Sequence, residues 1–169
     1  LYQWTKITIR RESGTAQLYF NTTLEASSTN STNLLNHTSD RPVINANGYQ
    51  VTNVDNQSST YMSGLRVMKG SACSAPTTTN LLDIPTAITN TVFLLNGNNF
   101  IDKSTTPKTF TKVGTPKITK FSPFSDEEFG FGSSYGSAYF DGSDDYLTKS
   151  GALLPTTSSP SFTIDMWIY

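Results

Sequence analysis

Ser161-Phe-Thr-Ile-Asp-Met-Trp-Ile-Tyr169 is the stretch that decides the fold. Phe162, Ile164, Met166 and Ile168 fall on one side of an extended chain, and Thr163, Asp165, Trp167 and Tyr169 on the other. Successive side chains of a strand point to opposite faces, so this alternation predicts a half-buried strand. Trp4-Thr-Lys-Ile-Thr-Ile-Arg10 alternates in the same way, with Ile7 and Ile9 opposed to Lys6, Thr8 and Arg10. Glu12-Ser-Gly-Thr15 reads as a hairpin loop, Gly14 supplying the positive φ of the turn, and Ala16–Phe20 as the returning strand.

The same reading extends along the chain. A polar stretch, Ser27 to Asp40, is expected to be loop, and strands are expected near Val43–Asn45, Tyr49–Val54 and Tyr61–Met68. Gly, Ser, Ala, Pro and Thr dominate from Lys69 to Pro85, which marks a boundary. Beyond it, Thr91–Leu95 is a short apolar run, followed by Lys108–Val113, Ile118–Phe121, a glycine-rich stretch from Phe129 to Gly136, Ser137–Phe140 and Asp145–Lys149. Short strands at regular spacing, with no helical period, predict an all-β antiparallel sandwich.

Composition agrees. Only 15% of the 169 residues are charged, against roughly 25% in soluble domains, and Ser, Thr, Asn and Gly take the polar role. Helix formers are scarce, while Thr, Val, Ile, Tyr and Phe recur. The net charge of -1, without a basic stripe, argues against nucleic acid as a partner. No apolar run approaches the roughly 20 residues of a bilayer-spanning helix, so membrane insertion is not expected. The chain opens inside what reads as a strand, the expectation for a piece of something longer. Cys73 is the sole cysteine, expected to be a free thiol with a packing role. Asn-x-Ser/Thr patterns at Asn21, Asn30, Asn36 and Asn56 are what chance produces in so Asn-, Ser- and Thr-rich a chain.

Several stretches carry a resemblance. Ala138-Tyr-Phe-Asp-Gly-Ser-Asp-Asp-Tyr-Leu147, followed by Phe162-Thr-Ile-Asp-Met-Trp-Ile-Tyr169, resembles the opening half of a laminin G-like (concanavalin-like) jelly-roll domain. Leu94-Leu95, Asp102-Lys-Ser104, Pro107–Thr111, Gly114 and Phe131–Ser134 are similar to the start of such domains in phage tail and fibre proteins. Trp4–Arg11, Gly14, Leu18–Asn21 and Tyr61-Met-Ser-Gly-Leu-Arg-Val-Met-Lys-Gly70 resemble the closing half. Lys6 stands where the family often has His, and Gly64 where it often has an acid. The closing half therefore precedes the opening half. This order implies residues 1–72 as the C-terminal half of one module, 73–89 as a linker and 90–169 as the N-terminal half of the next. The Tyr61–Met68 and Ser137–Phe140 strands would be neighbours in such a domain. They are expected either to pair within the chain, as a permuted sandwich, or to be completed by neighbouring copies or adjacent modules in a fibre, the second being favoured.

Candidate sites are few. Asp141, Asp144 and Asp145 cluster in one turn and can offer hard oxygen ligands to Ca²⁺. Asp-Gly and Ser-Asp are equally good hairpin chemistry and the EF-hand spacing is absent, so a turn without a cofactor is the preferred expectation. Tyr135, Tyr139 and Tyr146, with Trp167, can form a stacking platform for sugar rings, although alternating aromatics also serve cross-strand packing. His37 stands alone in a polar stretch, and Asp126-Glu127-Glu128 reads as a solvated charge run. No catalytic residue is identified. Glu127 and Glu128 are adjacent and would face opposite ways in a strand, unlike a retaining glycosidase pair. Gly-x-Ser-x-Gly and phosphate-loop patterns are absent, and no helix follows Gly130, Gly132 and Gly136.

The resemblance implies a non-catalytic structural and adhesive module of a virion fibre or tail appendage, with host surface glycans as a partner. A secreted or cell-surface glycan-binding module or filament subunit is the alternative, and a glucanase-type hydrolase a weaker one.

Overall fold

The computed structural model describes residues 3–29, 43–50, 53–79, 83, 85–124, 136–149 and 161–169. Thirteen strands run in chain order: β1 (Thr5–Glu12), β2 (Thr15–Phe20), β3 (Thr23–Thr29), β4 (Val43–Ile44), β5 (Asn47–Gln50), β6 (Asn53–Asp55) and β7 (Ser59–Lys69), then β8 (Thr91–Leu95), β9 (Thr111–Val113), β10 (Lys117–Thr119), β11 (Ser137–Asp141), β12 (Tyr146–Thr148) and β13 (Phe162–Ile168). All pairings are antiparallel. There is no helix among the described residues, so the chain is an all-β antiparallel sandwich.

One eight-stranded sheet has the order β10-β11-β7-β13-β1-β2-β3, and β8 pairs with β7 beside β11. A three-stranded sheet, β4-β12-β9, packs over it, and β5-β6 forms a separate hairpin. The long β7 is the hub. Its residues 62–69 pair with β13 on one edge, while the other edge takes β11 at Ser59–Met62 and β8 at Leu65–Met68. The two stretches expected to be neighbours do pair within this chain, Ala138 opposite Met62 and Tyr139 opposite Tyr61. Completion of that pair by a neighbouring copy, the favoured expectation, gives way to the permuted pairing. The physical reason is that β13 lies between β7 and β1 and brings both regions into one sheet.

Two local expectations change. Tyr49–Val54, read as one strand, contains parts of two, with Gln50 opposite Asn53 across a hairpin. Ser27–Thr29, read as loop, belongs to β3, an edge strand exposed along its whole length. Its sequence has no buried face to alternate, and backbone pairing to β2 alone carries it.

The register fixes which side chains share a face. Ile9, Ile164, Val67 and Phe93 form a row across β1, β13, β7 and β8. That face meets Ile44 and Leu147 of the small sheet in a core with Leu65, Leu95, Ala138 and Phe140. Phe93, Phe140 and Leu147 are completely buried, each worth about 1.5–3 kcal/mol of burial free energy.

The opposite face was expected to meet solvent, and it does not. Lys6, Thr8, Arg10, Thr163, Asp165 and Trp167 are all buried. Between Arg66 and Ser63 of β7 an extra residue is inserted opposite Met166, so both Arg66 and Ser63 face this side. Gly64 sits in that bulge at φ 60°, and an added Cβ there would lie 3.0 Å from Pro85. Gly64 therefore marks a β-bulge packed closely against the Pro85 ring.

Candidate functional site: a cavity on the polar face of the large sheet

A cavity of about 810 Å³ lies between the polar face of the large sheet and residues Ser71–Ser74, Pro76, Asp83, Pro85, Thr86 and Ile88–Asn90. Its floor is a cross-strand array. Thr8 of β1 is opposite Asp165 of β13, which is opposite Arg66 of β7. The Arg66 guanidinium donates Nε to Asp165 Oδ1 at 3.1 Å and Nη2 to Oδ2 at 2.9 Å. This is the bidentate fork that planar guanidinium and carboxylate groups favour. Burial alone would lower the Arg66 pKa, but the charge and hydrogen bonds of Asp165 more than offset it, and it ends raised.

Arg66 also ties the floor to the roof. Its Nη2 approaches Cys73 Sγ at 3.4 Å, and its Nη1 donates to the Thr86 carbonyl at 3.4 Å. The Cys73 N–H donates to Thr163 Oγ1 at 2.9 Å. The Cys73 thiol, half-buried and unpaired as a disulfide, packs against Met68 Sδ. Burial pushes its pKa up, with Arg66 pulling against that shift. Within the stretch expected to form a linker, Cys73 and Thr86 are thus anchored to the sheet.

Two further groups of the wall matter chemically. Lys6 is 7% exposed, and burial lowers its pKa while Asp165 and Asp83 oppose the shift. Thr8 is 3% exposed, and its Oγ1 has no hydrogen-bond partner among the described residues. A buried hydroxyl without a partner costs about 1–3 kcal/mol. Little in the sequence marks these residues as a site. The one signal is charged side chains, Lys6, Arg66 and Asp165, inside strands whose other face is apolar.

The acidic turn is built differently. Carboxylate oxygens of Asp141, Asp144 and Asp145 come within 4.8 Å of one another, with Asp145 buried and the other two exposed. Asp145 Oδ1 accepts the Thr115 N–H at 2.5 Å and Oδ2 accepts the Asp141 N–H at 3.0 Å. Asp141 Oδ1 accepts the Ser143 N–H at 2.8 Å. Gly114 stands against this turn at φ 72°, where a Cβ would come within 2.8 Å of Asp144 Oδ1. Asp145 therefore holds the turn to the loop after β9.

A second buried carboxylate plays the same part elsewhere. Asp102 accepts the N–H groups of Leu94 and Ser104 on Oδ1, both at 2.9 Å, and the Lys108 N–H at 2.8 Å and Ser104 hydroxyl at 3.0 Å on Oδ2. It closes the loop after β8 onto that strand.

Among the aromatic residues expected to stack sugars, Tyr135 lies outside the described residues. Tyr139 belongs to β11 of the large sheet and Tyr146 to β12 of the small one, so the two stand on different sheets. Tyr139 joins a ring cluster on the polar face: it lies 4.8 Å from Tyr61, which lies 5.0 Å from Phe121, which in turn lies 5.1 Å from Trp4 and 4.7 Å from Tyr169. Trp167 is buried and meets Phe124 edge-on at 6.0 Å. His37 and the 126–128 acidic run also lie outside the described residues. Comparison with protein-family models, with curated proteins and with solved structures gave no match.

Proposed function

We propose that this chain is a non-catalytic structural and adhesive module of the laminin G-like jelly-roll kind, serving in a virion fibre or tail appendage. The observation that supports this reading most is how the buried acids are used. Asp102 and Asp145 accept main-chain N–H groups, and Asp165 is locked to Arg66. Groups of the type that do acid–base chemistry are here spent on architecture. The sequence resemblance to phage tail and fibre domains supplies the virion setting. Host surface glycans are the partner proposed for the half-exposed aromatic cluster around Tyr61 and Tyr139. Antibody against the recombinant chain, applied to particles and cells of the source in immunogold electron microscopy, tests the assignment. Label on particle appendages is the expected result. Label confined to the cell surface would move the module to a cellular adhesin or filament.

A further inference from the structure

Tyr61 of β7 and Tyr139 of β11 stand directly opposite each other across an antiparallel ladder. A strand residue turns its N–H and C=O to the same side, and Tyr61 spends both on Tyr169, donating to its carbonyl at 3.1 Å and accepting its N–H at 3.0 Å. Toward β11, therefore, Tyr61 and Tyr139 form a non-hydrogen-bonded pair, the kind whose Cα atoms lie about 4.5 Å apart rather than about 5.5 Å. The rings follow the backbone. Those of Tyr61 and Tyr139 have centroids 4.8 Å apart and planes inclined at 37°. Those of Tyr61 and Tyr169, the hydrogen-bonded pair, stand 6.1 Å apart at 78°, edge to face. Phe121, 5.0 Å from Tyr61, has no hydroxyl. Tyr61 and Tyr139 are both half-buried, so solvent reaches part of each side chain.

We propose that Tyr61 and Tyr139 are a site of oxidative cross-linking, joined ring to ring as dityrosine by a one-electron oxidant. Each phenol gives up one electron and one proton, which leaves two phenoxyl radicals with unpaired spin on the ring carbons beside the oxygen. One such carbon of each ring forms the new C–C bond, and the hydrogen it carried moves to its own ring oxygen as aromaticity returns. The chain loses two electrons and two protons in all, and two equivalents of the oxidant are reduced. The bond fastens β7 to β11, the strands that zip the first region of the chain to the second. This chemistry is independent of the fibre reading, since it needs only the pair and an oxidant.

The test uses the full 169-residue chain, dilute enough to keep coupling within one molecule. It is oxidised by light with tris(bipyridyl)ruthenium and persulfate, which takes up the electrons and becomes sulfate. The monomer fraction should gain the blue fluorescence of dityrosine and lose the mass of two hydrogens. Its peptide map should carry one dominant link, Tyr61 to Tyr139. Tyr61→Phe and Tyr139→Phe, which keep the ring, should each abolish that link, and Tyr169→Phe should keep it. Oxidation of the urea-unfolded chain, where the register is lost, should scatter links over other tyrosine pairs. The cross-linked chain should also unfold at a higher urea midpoint than the parent, because the closed loop restricts its unfolded state. Monomer without dityrosine, a map dominated by another pair, or the same dominant link from folded and unfolded chains overturns the proposal. So does a Tyr139→Phe variant that fluoresces like the parent, or a cross-linked chain whose midpoint does not rise.

Discussion

Ala138 lies directly opposite Met62 on adjacent antiparallel strands. The segment that resembles the start of a module is thereby zipped to the segment that resembles the end of one. Strands from both regions alternate through the same sheet, since β13 sits between β7 and β1. The chain is expected to unfold in one cooperative transition. Trp4 reports on the first region and Trp167 on the second, and substitution of either by Phe isolates the other. Urea midpoints from the two single-tryptophan variants should differ only by their own stability change and should match circular dichroism of the same variant. Fluorescence and dichroism transitions that separate within one variant would show two independent units.

Asp102→Ala should be among the most damaging single substitutions. It removes an acceptor of four hydrogen bonds and leaves the N–H groups of Leu94, Ser104 and Lys108 without their partner. The expected loss is about 3–5 kcal/mol, as for a buried charged partner removed from its network. A denaturant midpoint that falls with an unchanged slope is the signature. A loss under about 1 kcal/mol would mean that water replaces the carboxylate at no cost.

Cys73 should be slow to react. Burial raises its pKa above the ordinary thiol value of 9.0, and the thiolate is the nucleophile. The alkylation rate of the folded chain should rise with pH around a midpoint above that of the urea-unfolded chain. The linkage has a definite sign. Above the unfolded value the native state keeps a proton that the unfolded state has lost, so this group's share of stability is whole below that value and declines as pH climbs past it. Coincident midpoints for folded and unfolded chains would contradict the buried placement of the thiol.

Calcium at millimolar concentration should leave the melting temperature unchanged within about a degree, because a ligand bound only to the native state must raise it. Asp145 already accepts two backbone N–H groups, and Asp141 accepts one. The turn offers three carboxylates where Ca²⁺ takes about 6–8 oxygens. A rise of several degrees that disappears in Asp144→Ala would establish a calcium site.

How much was legible in the sequence divides along a physical line. Strands with one apolar face, such as β1, β7 and β13, announce themselves through alternation, and the sandwich follows from them. β3 does not, because Thr23-Leu-Glu-Ala-Ser-Ser-Thr29 buries nothing and is held through its backbone. The cavity was hidden for a related reason. Lys6, Thr8, Asp165 and Arg66 carry the polarity of a solvent-facing surface, and periodicity reports polarity rather than exposure. Only the fold brings Cys73, Pro85 and Thr86 over them. Asp102 and Asp145 could be quoted from the sequence as part of a pattern, but their partners lie in other strands and loops and became visible only with the register.

The hub position of β7 also governs when the protein can exist. Every strand that pairs with it, β8, β11 and β13, is encoded downstream of it. β1, though first in sequence among the strands, reaches the hub only through β13. During synthesis the early hairpin can close on itself, and β8 and then β11 can cover one edge of β7, but the other edge stays bare until Phe162–Ile168 emerges. Distant pairings of this kind make assembly slow and leave aggregation-prone edges exposed meanwhile. The strand that joins the two regions is made well after both of the strands it bridges, so the nascent chain carries an open edge on β7 and another on β1 until that bridge is in place.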